Sequence, residues 1–286
     1  MIPCLTTVSE MQVMLDEART RGASIGLVPT MGGLHEGHLS LIRRARSENE
    51  LVVVSIFVNP TQFGPNEDLQ RYPRDPARDQ VLARAAGGDL VFSPTAEEMY
   101  PEPYSTWVEV VGLTAGLCGA SRPGHFRGVC TVVTKLLNIC RPERAYFGQK
   151  DAQQLAVVKR MVRDLNLGVD IVPCPTVREA DGLAMSSRNT GLTAPERAQA
   201  PALYRALRAA DELVRGGERD ATVLEEAMRG MLAEADLGRI DYVSIVQAND
   251  LSPVTTVSGE CLIAVAVWFG GTRLIDNIVV TGCASG

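Results

Sequence analysis

From residue 25 onward, short apolar runs alternate with stretches of helical periodicity, and this alternation limits the fold more than any other feature of the chain. Residues 25–28 and 51–58 read as strands buried on both faces, the pattern of a parallel sheet covered by helices. Between them, 38–48 has the spacing of an amphipathic helix, with Leu39, Ile42 and Ala45 on one side. Further strands are expected at 89–92, 107–111, 144–147 and 170–173, with helices at 75–86, 128–140 and 151–165. Strand, helix and strand in succession predict a Rossmann-like parallel sheet with helices on both faces. Ligands of such sheets bind at the carboxyl ends of the strands, where the loops after Val28, Val58, Phe147 and Pro173 gather.

The pattern changes near residue 176. Thr193-Ala-Pro-Glu196 is a capping box with proline in the first turn, and the helix it opens is expected to run to Gly216. A second helix at 221–235 precedes strands at 242–247, 262–269 and 274–280. Two helices followed by adjacent strands predict a smaller α+β domain with an antiparallel sheet. The expected division is therefore 1–177 and 178–286.

Composition narrows the class. The longest apolar run, Cys261 to Phe269, is nine residues, about half of what a membrane helix needs. No membrane association is expected. Lys and Arg number 28 against 34 Asp and Glu, the opposite of a nucleic-acid footprint. The first basic side chain is Arg19, so the start lacks the charge of a secretory signal. Seven cysteines (4, 118, 130, 140, 174, 261, 283) form no C-x-x-C pair, which suits buried thiols in a reducing cytoplasm.

Neither a Walker A loop nor a G-x-G-x-x-G follows any strand, so phosphate would be held another way. The informative segment is Pro29-Thr-Met-Gly-Gly-Leu-His-Glu-Gly-His38, between a strand and a helix, with two of the three histidines. Unpaired amides and a partial positive charge at a helix N-terminus attract phosphate, and Gly32, Gly33 and Gly37 let backbone approach a ligand. The same H-x-x-H also fits a satisfied loop pair or half a metal site. Tyr146-Phe-Gly-Gln-Lys-Asp-Ala-Gln-Gln154 again runs from strand into helix; its Lys150 is one of three lysines against 25 arginines. Asp151 suits a ribose hydroxyl or a helix cap. Asp181-Gly-Leu-Ala-Met-Ser-Ser-Arg-Asn189 offers two hydroxyls and a guanidinium as an anion clamp. Asn59 and Gln62 stand at a strand's carboxyl end, where neutral amides can grip a small polar acid. Arg122, His125 and Arg127 read as an anion contact or an ordinary turn.

Taken in order, 29–38, 55–63, 71–74, 122–128, 147–154 and 181–189, with Arg273-Leu-Ile-Asp-Asn277 near the end, resemble the pantothenate synthetases (pantoate–β-alanine ligases). The likeness runs from about residue 25 to Asn277; H-x-G-H alone belongs to the wider nucleotidyltransferase superfamily. The resemblance implies ATP-dependent condensation of pantoate with β-alanine through a pantoyl adenylate, giving pantothenate, AMP and pyrophosphate. It implies that His35, His38, Lys150, Ser186, Ser187 and Arg188 hold phosphates, with His38, His35, Lys150, Ser187 and Arg188 catalytic. The nucleotide site would comprise Met31, Gly32, Gly33, Leu34, Glu36, Gly37, Gly148, Gln149, Asp151, Val177 and Met185 beside them. Gln62 and Gln154 would hold pantoate, and Asn59, Tyr72 and Arg122 would lie near the second substrate or the gate. Mg²⁺ would accompany ATP, held mostly by phosphate and water, with Asp79 the one protein candidate. Residues 178–286 would act as a lid, and the enzyme would be a cytoplasmic homodimer. Cys118 and Gln149 stand where some family members carry glutamate. Another nucleotidyltransferase is the nearest competing reading; Gln62 with Gln154 is the feature against it. A non-catalytic nucleotide sensor is the second, and His38, Lys150 and Arg188 speak against that.

Overall fold

The computed structural model describes residues 2–65 and 67–282, so Cys283 lies outside the described residues. The chain divides into two compact units: Met1–Gly112 with Arg122–Gln149 and Val157–Pro175, and Leu113–Ser121 with Lys150–Ala156 and Thr176–Gly286. The sequence predicts one cut at 177/178; the second unit also takes two short stretches that precede it.

The elements in chain order are β1 (Cys4–Leu5), α1 (Val8–Thr20), β2 (Ile25–Thr30), α2 (Glu36–Glu48), β3 (Leu51–Ile56), α3 (Pro76–Ala85), β4 (Leu90–Phe92) and α4 (Ala96–Met99). There follow α5 (Cys118–Ser121), α6 (His125–Cys140), β5 (Arg144–Gly148), α7 (Ala152–Asp164), β6 (Asp170–Cys174) and α8 (Ala194–Gln199). The chain closes with α9 (Ala202–Arg215), α10 (Ala221–Ala233), β7 (Gly238–Gln247), β8 (Gly259–Phe269) and β9 (Thr272–Gly282).

In the first unit six strands run in the order β1-β4-β3-β2-β5-β6, every pairing parallel. The predicted parallel sheet is therefore present. Its central strands are apolar throughout because both faces are covered: Leu27, Val28, Val52, Val53 and Val54 are all fully buried. The α2 stripe is Leu41, Ile42 and Ala45, with Leu39 packed only partly against it.

Two expectations fail locally, and one stretch holds elements that the sequence reading does not include. Residues 107–111 are not a strand: Val108 donates its amide to Thr131 Oγ1 at 3.0 Å, and although Val110 is buried, Val111 is 83% exposed, so the run pairs with no strand. β1 and α1 lie outside the predicted elements, although Thr7 and Glu10 close a capping box at the head of α1. The single helix expected from Thr193 to Gly216 is two, α8 and α9, parted at Pro201, which has no N–H to continue the ladder.

The second unit holds a three-stranded antiparallel sheet, β7-β8-β9. Leu203, Leu207, Leu224 and Met228 of α9 and α10 cluster with Ile263, Val265 and Phe269 of β8. Leu262 and Ala264, on the opposite face, meet Leu117, Ala152 and Tyr242. The central strand is thus buried on both sides, and its nine-residue apolar run follows.

Candidate active site

Beyond β2 the chain turns through Gly32 (φ +83°) and Gly33 (φ +61°), a left-handed pair that side-chain-bearing residues adopt only at a cost. Asp79, in the first turn of α3, braces this turn. Its Oδ2 accepts the Gly33 amide at 2.9 Å and its Oδ1 the Leu34 amide at 2.8 Å. Asp79 is 1% exposed. The one carboxylate expected near Mg²⁺ therefore spends both oxygens on the main chain.

The braced turn delivers His35 to the head of α2 as its N-cap. Gly37 donates its amide to His35 Nδ1 at 3.2 Å, and His35 donates its amide to His38 Nδ1 at 3.4 Å. Because each Nδ1 accepts, each neutral ring carries its proton on Nε2. The two imidazoles lie 4.1 Å apart between centroids. Two N–H donors thus stand beside the amides and positive end of a helix, an arrangement suited to an oxyanion. Glu36 is exposed and pairs with Arg43.

Asn59 caps a short 3₁₀ turn, Pro60–Gln62, of which Gln62 is the last residue, and the two are 1% and 8% exposed. Gln62 Nε2 lies 3.1 Å from Met31 Sδ. The carbonyl of Gln62 is held from behind by His125 Nδ1 at 2.8 Å and by an Arg122 nitrogen at 3.3 Å. A carbonyl only accepts, so His125 Nδ1 bears the proton and its Nε2 accepts from Arg122 at 3.0 Å. Arg122 also grips Glu67 with two nitrogens, at 2.7 and 2.6 Å. Burial alone would raise the Glu67 carboxyl, but the hydrogen bonds and charge of Arg122 outweigh it and hold the group below its usual range. Tyr72 is buried against Phe63. A cavity of about 410 Å³ lies at the carboxyl ends of β2, β3 and β4, walled by Met31, Gly32, Ile56, Arg74 and Asp79. Gly148 ends β5, and the exposed Gln149 follows it.

The remaining expected residues belong to the second unit. Lys150 sits in a 3₁₀ turn, its Nζ 3.8 Å from Asp151 and its carbonyl accepting from Asn277 at 2.8 Å. Gln154 is half-buried in the first turn of α7. The backbone of Met185 donates to Val177 at 2.9 Å, bringing those two residues together across a small turn. Ser186 caps the following 3₁₀ turn by accepting the Arg188 amide at 3.3 Å, and Ser187 begins that turn. The motif Arg273 to Asn277 is an anchor: Arg273 meets Asp241 at 2.7 Å, and Asp276 accepts Arg178 at 2.5 and 3.0 Å. Cys118 is buried with its thiol 3.4 Å from both Tyr242 and Arg273. Burial, then the Cys118 thiol, pushes the Tyr242 phenol well above its usual range.

Sequence reasoning missed Asp79 as a brace, Glu67, Tyr100 and the Arg178–Asp276 pair. Their partners lie 46, 55, 41 and 98 residues away, so no local spacing announces them. Among the described residues no group of three or more His, Cys, Asp or Glu could hold a metal ion, and no helix is long and apolar enough to cross a membrane.

A family profile described as pantoate-beta-alanine ligase matches residues 3–279. A pantothenate synthetase of Moorella thermoacetica is 59% identical over 276 residues, covering 96% of this chain and 98% of that one. The crystal structure of pantothenate synthetase from Thermus thermophilus superposes with a TM-score of 0.92 at 49% identity, covering 97% of this chain and 99% of that one. A pantoate-beta-alanine ligase from Francisella tularensis, solved in complex with beta-gamma ATP and beta-alanine, matches with a TM-score of 0.81 at 34% identity over 98% of both chains.

Proposed function

The chain belongs to the pantoate–β-alanine ligase family, and we propose from that premise that it joins pantoate to β-alanine at the expense of ATP through a pantoyl adenylate. As an enzyme of this family it forms pantothenate by making a carbon–nitrogen bond. In the proposed reaction a pantoate carboxylate oxygen attacks the α-phosphorus of ATP, and pyrophosphate leaves with the electron pair of the broken P–O bond. The amine of β-alanine then attacks the acyl carbon, AMP departs, and the nitrogen gives up a proton. A carboxylate is already nucleophilic, so the protein's task is alignment and charge stabilisation.

The observation that carries this reading is the histidine pair: both Nδ1 atoms accept main-chain amides, which puts each ring proton on Nε2, the atom that would meet negative charge building on the phosphates. Lys150, Ser186, Ser187 and Arg188 would add phosphate contacts, and Met31, Val177 and Met185 apolar surface for adenosine. Gln62 and Gln154 would take pantoate. Tyr72 and Arg122, buried or already paired, would shape the region of the second substrate rather than grip it. The beta-gamma ATP and beta-alanine found with the Francisella ligase support the choice of nucleotide and amine. Mg²⁺ enters as part of the nucleotide substrate, since the one carboxylate at the turn is occupied by amides and the described residues form no acidic cage. The lid role of 178–286, a cytoplasmic location and a homodimer belong to the same proposal. Hydrogen exchange over 181–189 with and without ATP plus pantoate tests the first, and sedimentation velocity the last. The main experiment follows AMP and pyrophosphate with pantoate and β-alanine omitted in turn. Pyrophosphate should form without β-alanine but not without pantoate; pyrophosphate release independent of pantoate would overturn the adenylate route.

A further inference from the structure

We propose that Tyr100 is a positioning residue that, through Asn59, fixes which end of the Gln62 amide faces pantoate. The proposal rests on the assignment of Gln62 to pantoate. Two main-chain groups settle how the Asn59 amide is turned. The Thr61 amide can only donate, and it meets Asn59 Oδ1 at 3.3 Å; the Gly128 carbonyl can only accept, and it meets Asn59 Nδ2 at 3.2 Å. Asn59 therefore presents Nδ2 to Gln62, and the Gln62 atom 3.1 Å from it is Oε1. With its oxygen so engaged and one N–H directed at Met31 Sδ, Gln62 keeps the second N–H of its NH₂ group for the substrate, which makes it a donor to a carboxylate or hydroxyl oxygen.

The Tyr100 hydroxyl reinforces this setting by donating to Asn59 Oδ1 at 2.8 Å, beside the Thr61 hydroxyl at 2.9 Å. Its ring is itself fixed. Tyr104 meets it edge-on at 5.0 Å, Phe57 lies at 6.4 Å, and Lys135 Nζ stands 5.7 Å from the Tyr100 ring centre and 5.2 Å from that of Tyr104. Burial pushes the phenol up to about 12, so it stays a proton donor across the working pH range. Gly128 is part of the same device: a Cβ there would fall 2.4 Å from the Thr61 carbonyl, so only glycine lets α6 bring its carbonyl to Asn59.

The test compares Tyr100→Phe, Gln62→Ala and the double variant, measuring KM for pantoate and for ATP and a melting curve for each. Tyr100→Phe keeps the ring and removes one hydrogen bond, so pantoate KM should rise by about two- to tenfold, with ATP KM little changed. In the Gln62→Ala background the same substitution should add almost nothing, because a relay has no further effect once its target is gone. If Gln62→Ala raises pantoate KM but Tyr100→Phe does not, the relay is wrong and the assignment of Gln62 stands. If Tyr100→Phe raises pantoate KM equally in both backgrounds, Tyr100 acts by another route and the relay is again wrong. If Gln62→Ala leaves pantoate KM unmoved, the assignment of Gln62 falls and the relay falls with it. Should Tyr100→Phe fold poorly, Thr61→Val removes the companion hydroxyl donor and is read by the same comparison.

Discussion

At the scale of single residues, what matters is which atom of a side chain is already spent. His35 and His38 are legible as a pair from the sequence, but their chemistry is not, because H-x-x-H fits a phosphate site, a packed pair or a metal site. The two amide-to-Nδ1 hydrogen bonds assign the tautomer, with each ring proton on Nε2, and it is on this that the proposed phosphate role rests. His38→Ala should slow adenylate formation by about 10²–10³, the scale for losing one donor to developing charge, with a melting point close to that of the parent. A near-parental rate in rapid-quench measurements would remove His38 from the chemistry. Arg122 teaches the reverse lesson: the sequence leaves it open between a ligand contact and a turn, and its nitrogens are taken by Glu67, His125 and Gln62. The Glu67 carboxyl is held low when folded. Its contribution to stability is therefore complete above the unfolded carboxyl value, about 4.3, and is lost as pH falls through the lower folded value. Glu67→Gln should melt lower than the parent at neutral pH and lose less on acidification below about pH 4. Melting curves that stay parallel down to pH 3 would show that the clamp contributes nothing.

At the scale of elements, the long ones can be read from periodicity and the short ones cannot. The central strands of the parallel sheet announce themselves because both faces are buried, and α2 because one face is; the two-residue edge strand β1 does not. Residues 107–111 carry the same apolar signal without a partner strand, and only the structure shows Trp107 and Val111 in solvent. Pro201 is visible, but a proline in the first turn of a new helix and a proline ending an old one look alike in sequence. The turn after β2 is the element on which the site depends, and the helix that holds it, α3, begins more than forty residues later. Asp79→Asn sets an amide N–H against one of the two main-chain donors, at a cost of about 1–3 kcal/mol. Expected is a lower melting point together with a higher ATP KM and an unchanged pantoate KM. A melting point that falls while ATP KM holds would mean that the brace serves stability alone.

At the scale of the whole molecule, the likeness to pantothenate synthetases spans residues 3–279 and both compact units. That breadth is what sequence shows best, since an ordered set of motifs over a whole chain is far more specific than any one of them. The charge inventory is equally plain, and it has a practical outcome. Of the chain's three lysines, Lys135 lies against the rings of Tyr100 and Tyr104, Lys159 is exposed on α7, and Lys150 is half-buried in its turn. A pulse of an amine-acylating reagent followed by mass spectrometry therefore reads three sites and the amino terminus, with almost no background. Saturating ATP should shield Lys150 and leave labelling of Lys159 as it was, which makes the protein its own internal standard for nucleotide occupancy. Loss of label at both positions would mean a general tightening of the chain, and loss at neither would take Lys150 out of the nucleotide site.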